Sequence, residues 1–181
     1  MKKLITLLGI IGLVIFTSCE GPEGPPGLDG QDGQDGLISE VYDLKNVNFG
    51  KINVNEYSIY KTLNPLLFDG DVILVYRLAG TIDASTPIWE QIPRTFYLSQ
   101  GNLNYDFDFS KEDFTIYASG NYDLSLTPSY INNQTFRIVI VPGNDPIVMT
   151  AKSSQKKVDF SDYNAVIKAY NIDDSNVKVL K

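Results

Sequence analysis

The sequence predicts a mainly β protein, an antiparallel β-sandwich with one short C-terminal helix that follows a signal peptide and an extended spacer. Apolar and polar residues alternate from Leu103 to Phe109, as in a strand with one buried and one solvated face. Residues 71–79 and 135–141 are nearly continuous apolar runs followed by glycine or proline, which is typical of strands covered on both faces. Turn residues separate eight or so such segments, so two packed sheets are the expected architecture.

The individual strands follow from apolar periodicity and from the turns between them. Gly50 ends the first segment and Asn64-Pro65 ends the second, while Lys111-Glu112 turns the chain within a meander. The predicted strands cover residues 41–49, 57–62, 71–79, 88–92, 95–99, 103–109, 114–118, 123–126, 135–141 and 176–180. In the clearest of them the side chains predicted to face the core are Leu103, Tyr105, Phe107 and Phe109, and those predicted to face solvent are Asn104, Asp106, Asp108 and Ser110.

Near the C-terminus, apolar residues recur with the period of a helix rather than that of a strand. Apolar residues recur at helical spacing at Tyr163, Val166, Ile167 and Tyr170, which predicts a helix over residues 162–170. Ser161 precedes it and is the expected N-cap.

The first 18 residues have the three parts of a secretory signal. Met1 is followed by Lys2 and Lys3, residues 4–16 are largely apolar, and small residues follow up to Ser18. The apolar run is shorter than the roughly 20 residues that a membrane-spanning helix needs. We therefore expect a cleaved targeting segment, with cleavage between Ser18 and Cys19.

The segment Phe16-Thr17-Ser18-Cys19 resembles the lipobox of bacterial lipoproteins, with phenylalanine where leucine is commoner. The resemblance implies that Cys19 carries diacylglycerol and fatty acid such as palmitate. Cys19 is the only cysteine, so it has no partner for an intramolecular disulfide. A chance cysteine beside an ordinary cleavage site is the alternative. Because Glu20 replaces the aspartate of the inner-membrane retention signal, the resemblance favours the outer membrane, on either its surface or its periplasmic face.

Glycine occupies every third position from Gly21 to Gly36, and prolines fill several of the places between. This Gly-X-Y tract resembles collagen, in which glycine fits at the axis of a triple helix. Acidic residues without any paired cation occupy four Y positions, namely Glu23, Asp29, Asp32 and Asp35. Their mutual repulsion favours a monomer with a flexible spacer, and a homotrimer remains the alternative.

Taken together, the lipobox, the CEGPEGPPG start and the length of the remaining domain resemble the collagen-like lipoproteins of flavobacteria and their relatives. This resemblance implies a location in the cell envelope rather than an activity. The expected organisation is a signal peptide at 1–18, a lipidated cysteine with a collagen-like spacer at 19–36, and a β-sandwich domain at 37–181.

The amino-acid composition excludes several classes of function. The chain has a formal net charge of −7, and removing residues 1–18 takes away two lysines and leaves −9, so nucleic acid is not an expected partner. The absence of histidine excludes Ser-His-Asp and Cys-His catalysis, and with one cysteine it also excludes the usual zinc sites. No cofactor is expected.

Two kinds of candidate site remain. Asp106 and Asp108 project from one face of a strand and are candidates for calcium binding, with Asp69, Asp71 or the pair Asp173-Asp174 as further ligands, although a simply solvated face is the alternative. The same carboxylates are candidates for a glycosidase pair. The eleven tyrosines and Trp89 are candidates for a surface that stacks on a glycan or contacts a protein.

The sequence therefore predicts a membrane-anchored lipoprotein whose sandwich is a non-enzymatic binding or structural module. The alternative is a carboxylate-dependent glycan hydrolase of the envelope. Membrane attachment is expected through lipid alone, and the soluble partner is expected to be a glycan or a protein.

Overall fold

A computed structural model describes residues 39–143, 158–175 and 177–180, all within a single unit bounded by Gln34 and Lys181. The signal peptide, Ser18, Cys19 and the Gly-X-Y tract lie outside the described residues, so the predictions for them stay predictions. Among the residues described, no helix is long and apolar enough to cross a membrane.

Within these ranges, ten strands form two five-stranded sheets that pack face to face. The strands are β1 (Glu40–Val47), β2 (Gly50–Asn53), β3 (Glu56–Thr62), β4 (Val72–Asp83), β5 (Thr86–Ile92), β6 (Arg94–Leu98), β7 (Gly101–Phe109), β8 (Asp113–Gly120), β9 (Gln134–Val141) and β10 (Lys178–Val179). The first sheet has the order β10-β1-β9-β4-β5 and the second has the order β2-β3-β8-β7-β6. Every pairing is antiparallel except β1 with β10. The predicted mainly β sandwich is confirmed.

The main core lies between the sheets and is rich in aromatic rings. Phe136 is fully buried, and its ring meets those of Phe49 and Tyr105 at centroid distances of 5.8 and 5.9 Å. Both contacts are edge-on, the arrangement that aromatic quadrupoles favour. The two apolar runs of the sequence become β4 and β9, which lie side by side in the first sheet.

Arg77 reaches into this core from β4. Its guanidinium lies 5.4–5.6 Å from the ring centroids of Phe96, Tyr105 and Tyr130, and its Nε donates to Gln134 Oε1 at 3.0 Å. The charge is shared with Glu90, whose carboxylate lies 3.6 Å away. These contacts compensate for burying the cation between the aromatic rings.

In the part of the chain that the structure describes, one α-helix, α1 (Tyr163–Ala169), covers the outer face of the first sheet. Tyr163 and Val166 are buried there, and the Tyr163 ring meets Tyr76 of β4 edge-on at 5.2 Å. The helix is confirmed, but Ser161 as its cap is wrong. Asp162 accepts the backbone N–H groups of Asn164 and Ala165, whereas the Ser161 hydroxyl donates to Asp159.

A buried ion pair joins the first sheet to α1. Nε and Nη2 of Arg137 in β9 donate to the two carboxylate oxygens of Asp43 in β1, at 2.7 and 3.1 Å, and the third nitrogen, Nη1, donates to the Tyr163 hydroxyl at 2.7 Å. Tyr163 in turn donates to Asp174, and the guanidinium stacks 4.4 Å from the Trp89 ring. Burial alone would lower the pKa of Arg137, but its bonds to Asp43 and Tyr163 outweigh burial and raise it.

Two local predictions are wrong. The predicted strand at 123–126 is a 3-10 helix, Leu124–Leu126, because the Asp123 side chain accepts from the Ser125 backbone and closes a turn. Gly50 was predicted to end a segment, yet it begins β2, whose four residues are all exposed and therefore lack the apolar alternation of a half-buried strand.

The same Asp-X-Ser turn occurs four times in the described chain. In each, the aspartate accepts both the backbone N–H and the hydroxyl of the serine two positions later. These donors lower the pKa of all four aspartates, which are Asp83, Asp123, Asp159 and Asp173. Because the folded-state pKa lies below the unfolded one, these bonds stabilise the protein above about pH 4 and are lost as the pH falls through the folded values.

We predict that Ser125→Ala raises the pKa of Asp123 toward its ordinary range, because the Ser125 hydroxyl is the main group that lowers it. The carboxyl carbon shift of Asp123 followed by NMR against pH measures this. Ser99→Ala is the matched control, since the Ser99 hydroxyl bonds to Gln100 and not to a carboxylate. An unchanged Asp123 midpoint would contradict the assignment.

Candidate functional site: the bare face of the second sheet

The two sheets differ in what covers them. The first sheet has the core on one face and α1 on the other, whereas the outer face of the second sheet carries no helix among the described residues. The strand registers place on this outer face Glu56, Ser58, Tyr60, Thr62, Thr95, Tyr97, Asn102, Asn104, Asp106, Asp108, Asp113, Thr115, Tyr117 and Ser119. We call this set the bare face. None of its side chains is buried, and none is a cation or an aliphatic residue.

Tyrosine and aspartate side chains are paired across the strands of the bare face. The Tyr60 hydroxyl donates to Asp113 Oδ2 at 3.0 Å, and the Tyr117 hydroxyl donates to Asp108 Oδ2 at 3.0 Å. The bond to Asp113 raises the pKa of Tyr60 above its ordinary value. These bonds tether two aromatic rings to the sheet surface.

Tyr97 is the most exposed large apolar or aromatic side chain of those described, with 81% of its surface accessible. It lies on the edge strand β6 opposite Asn102. Beside it, Thr95 donates to Asn104 at 2.7 Å. An exposed ring next to amide and hydroxyl groups combines an apolar contact surface with hydrogen-bonding groups.

Of the predicted site residues, Asp106 and Asp108 do lie together on the bare face. Asp106 accepts from the backbone N–H of Phe107, and Asp108 accepts from Tyr117. The four carboxylates predicted to complete a calcium site are engaged elsewhere: Asp69 with Lys111, Asp71 with the N–H groups of Phe68 and Gly143, Asp173 with Ser175, and Asp174 with Tyr163. Over residues 39–143, 158–175 and 177–180, no three acidic side chains cluster as metal ligands do.

The aromatic residues predicted to contact a ligand lie on different sheets. Trp89 lies on the first sheet, half-buried between Arg137 and Tyr163, and is separate from the bare face. Of the eleven tyrosines, only Tyr60, Tyr97 and Tyr117 project from the bare face. The sequence did not single out these three, because their place on one face depends on the order of four strands.

Asp43 and Asp174 are the carboxylates that meet at a common group, Arg137, which Asp174 approaches to 3.5 Å. Both are thereby neutralised by a cation. Glycosidases use two carboxyl groups that flank the bond to be cleaved, whereas both of these carboxylates approach a single guanidinium. This pair therefore serves to fasten α1.

Comparison with protein-family models, with curated proteins and with solved structures finds no match for this chain.

Proposed function

We propose that this chain is a lipoprotein anchored in the outer membrane through Cys19, and that its β-sandwich is a non-enzymatic module that binds a glycan on the bare face. The observation that carries the binding part is the composition of that face. Three tyrosines stand among hydroxyl, amide and carboxylate groups, with no cation and no aliphatic residue between them.

A sugar ring matches this surface chemically. Its faces present C–H groups, which pack on aromatic rings, and its edges present hydroxyls, which donate to carboxylate and amide oxygens. Tyr60 and Tyr117 are already held by Asp113 and Asp108, so little side-chain freedom is lost when a ligand binds. The four acidic residues of the face disfavour acidic polysaccharides and nucleic acid.

The anchoring part of the proposal rests on the sequence. Phe16 to Cys19 has the pattern of a lipobox, and the Gly-X-Y tract follows it directly. Lipid on Cys19 would keep the module at the envelope, where polysaccharides are abundant.

We predict that Tyr97→Ala weakens binding to the preferred neutral oligosaccharide about tenfold, since an exposed aromatic anchor commonly contributes that much. The measurement is calorimetry or a glycan panel that includes neutral glucans, mannans, galactans and xylans together with acidic uronans. Phe68→Ala is the matched control, because Phe68 is also exposed but lies in the loop between β3 and β4.

Equal losses of glycan affinity in Tyr97→Ala and Phe68→Ala, or a preference for uronans, would contradict the proposal that the bare face binds a neutral glycan. Release of new reducing ends from any of these glycans would favour the hydrolase instead.

A further inference from the structure

The end of the sandwich at which the chain arrives from its N-terminus carries exposed apolar side chains. β1 begins at Glu40, which pairs with Ile140, and β4 begins at Val72, which pairs with Val141, so both strands start at the same end of the first sheet. We call this end the base. Four side chains there are exposed by 41–64% and form the base patch: Leu66, Phe68, Val72 and Phe109.

Backbone hydrogen bonds bring the parts of the patch together. Residues 63–71 connect β3 to β4, and within them the N–H groups of Leu63 and Leu67 donate to the carbonyls of Glu112 and Lys111. That contact sets the connection against the turn between β7 and β8, beside Phe109.

The exposure of the patch is not explained by the core. Leu63 and Leu67 point inward and are buried, whereas Leu66 and Phe68 of the same connection point outward. Polar residues at these two positions would satisfy the fold equally well, and a large apolar side chain in water is unfavourable. Apolar exposure of this kind indicates a contact surface.

The number of residues between Cys19 and β1 selects the partner. Nineteen residues, 20–38, separate Cys19 from the first described residue. The spacer predicted from the sequence would, at that length, have an end-to-end distance of roughly 25 Å, so lipid on Cys19 would keep the base within reach of the bilayer. Beside the patch, the exposed Asp69 is paired with Lys111, which offsets its charge.

We infer that the base patch inserts its apolar side chains into the interface of the bilayer that holds Cys19, and that the contact orients the sandwich on the membrane. The inference rests on the proposed anchoring. The partner is a lipid surface of zwitterionic composition, since the chain as a whole is acidic.

Site-selective labelling tests this in the lipidated protein. A lipidated Cys19 has no free thiol, so one introduced cysteine takes the only label. Asp69→Cys places a polarity-sensitive probe next to Phe68 and keeps the patch intact, because Asp69 is 91% exposed. Ala84→Cys is the control at the tip of the hairpin between β4 and β5, at the opposite end of the first sheet.

In phosphatidylethanolamine and phosphatidylcholine vesicles that contain brominated lipid, we expect the probe at position 69 to be quenched several-fold more than the probe at position 84. Leu66→Ser with Phe68→Ser should abolish the difference. Ile82→Ser with Leu126→Ser, which removes exposed apolar residues outside the patch, should leave it unchanged.

The labelling experiment distinguishes failure of the proposed anchoring from failure of the proposed lipid contact. Two labels per chain, with loss of the protein from the vesicles, would show that Cys19 is not lipidated and would overturn the proposed anchoring. One label per chain with equal quenching at positions 69 and 84 would overturn only the lipid contact. A probe at position 69 that is already buried in the unlipidated Cys19→Ser chain would show that protein covers the patch, which also overturns the inference.

Discussion

Asp43→Ala is expected to lower the free energy of unfolding by about 3–5 kcal/mol, which is the usual cost of leaving one member of a buried ion pair without its partner. The side chains of Asp43 and Arg137 are only 4% and 11% exposed. Without Asp43, the Arg137 guanidinium loses both of its charge-assisted bonds to β1 and keeps Tyr163 and the more distant Asp174. Urea unfolding followed by circular dichroism measures the change.

Two further variants make this result specific. Lys45→Ala removes a half-exposed lysine 3.7 Å from Asp43 and should cost less than about 1 kcal/mol. The double change Asp43→Leu with Arg137→Met should cost less than the sum of Asp43→Leu and Arg137→Met measured singly, because no buried charge is left unpaired. Additive losses, or a small effect of Asp43→Ala, would contradict the account of how α1 is fastened.

Cys19→Ser is expected to move the exported protein from the membrane fraction to the soluble fraction almost completely. Acyl chains contribute about 0.8 kcal/mol per buried methylene, and two or more chains hold a protein on a bilayer where one is marginal. The base patch alone is far smaller than such an anchor, so it should not retain the variant. Fractionation measures the change of location, and the intact mass of the mature protein shows whether residue 19 carries lipid.

Asp29→Ala is the control, because it alters the spacer and leaves the lipobox intact. It should remain in the membrane fraction. An unmodified cysteine by mass, or a Cys19→Ser protein that still pellets with membranes, would contradict the lipoprotein assignment.

Sequence periodicity predicts those parts of the fold that local burial dictates. β7 alternates because one of its faces packs on the core. Leu103, Tyr105 and Phe107 face inward as predicted, whereas Phe109, also predicted to face the core, is 41% exposed at the end of the strand. β4 and β9 are apolar because the core covers one face and α1 packs on the other. All four residues of the edge strand β2 are exposed, so its sequence lacks the alternation of apolar and polar residues from which a strand is predicted.

The candidate site was only partly predictable for a related reason. Alternation placed Asp106 and Asp108 on the outer face of β7, but Tyr60, Tyr97 and Tyr117 come from β3, β6 and β8. Strand order depends on long-range pairing, which one sequence does not specify. Ser161 and Asp162 are both good caps by residue type, and only the neighbouring Asp159 decided between them.

The most direct test of the proposed function is an NMR titration of the mature chain with the neutral oligosaccharide that binds best on the glycan panel. The account predicts that amide and tyrosine-ring shift changes concentrate on β3, β6, β7 and β8, with the largest at Tyr97 and its neighbours Asn102 and Asn104. Shift changes concentrated on α1 and the outer face of the first sheet, or on the hairpin between β4 and β5, would contradict it.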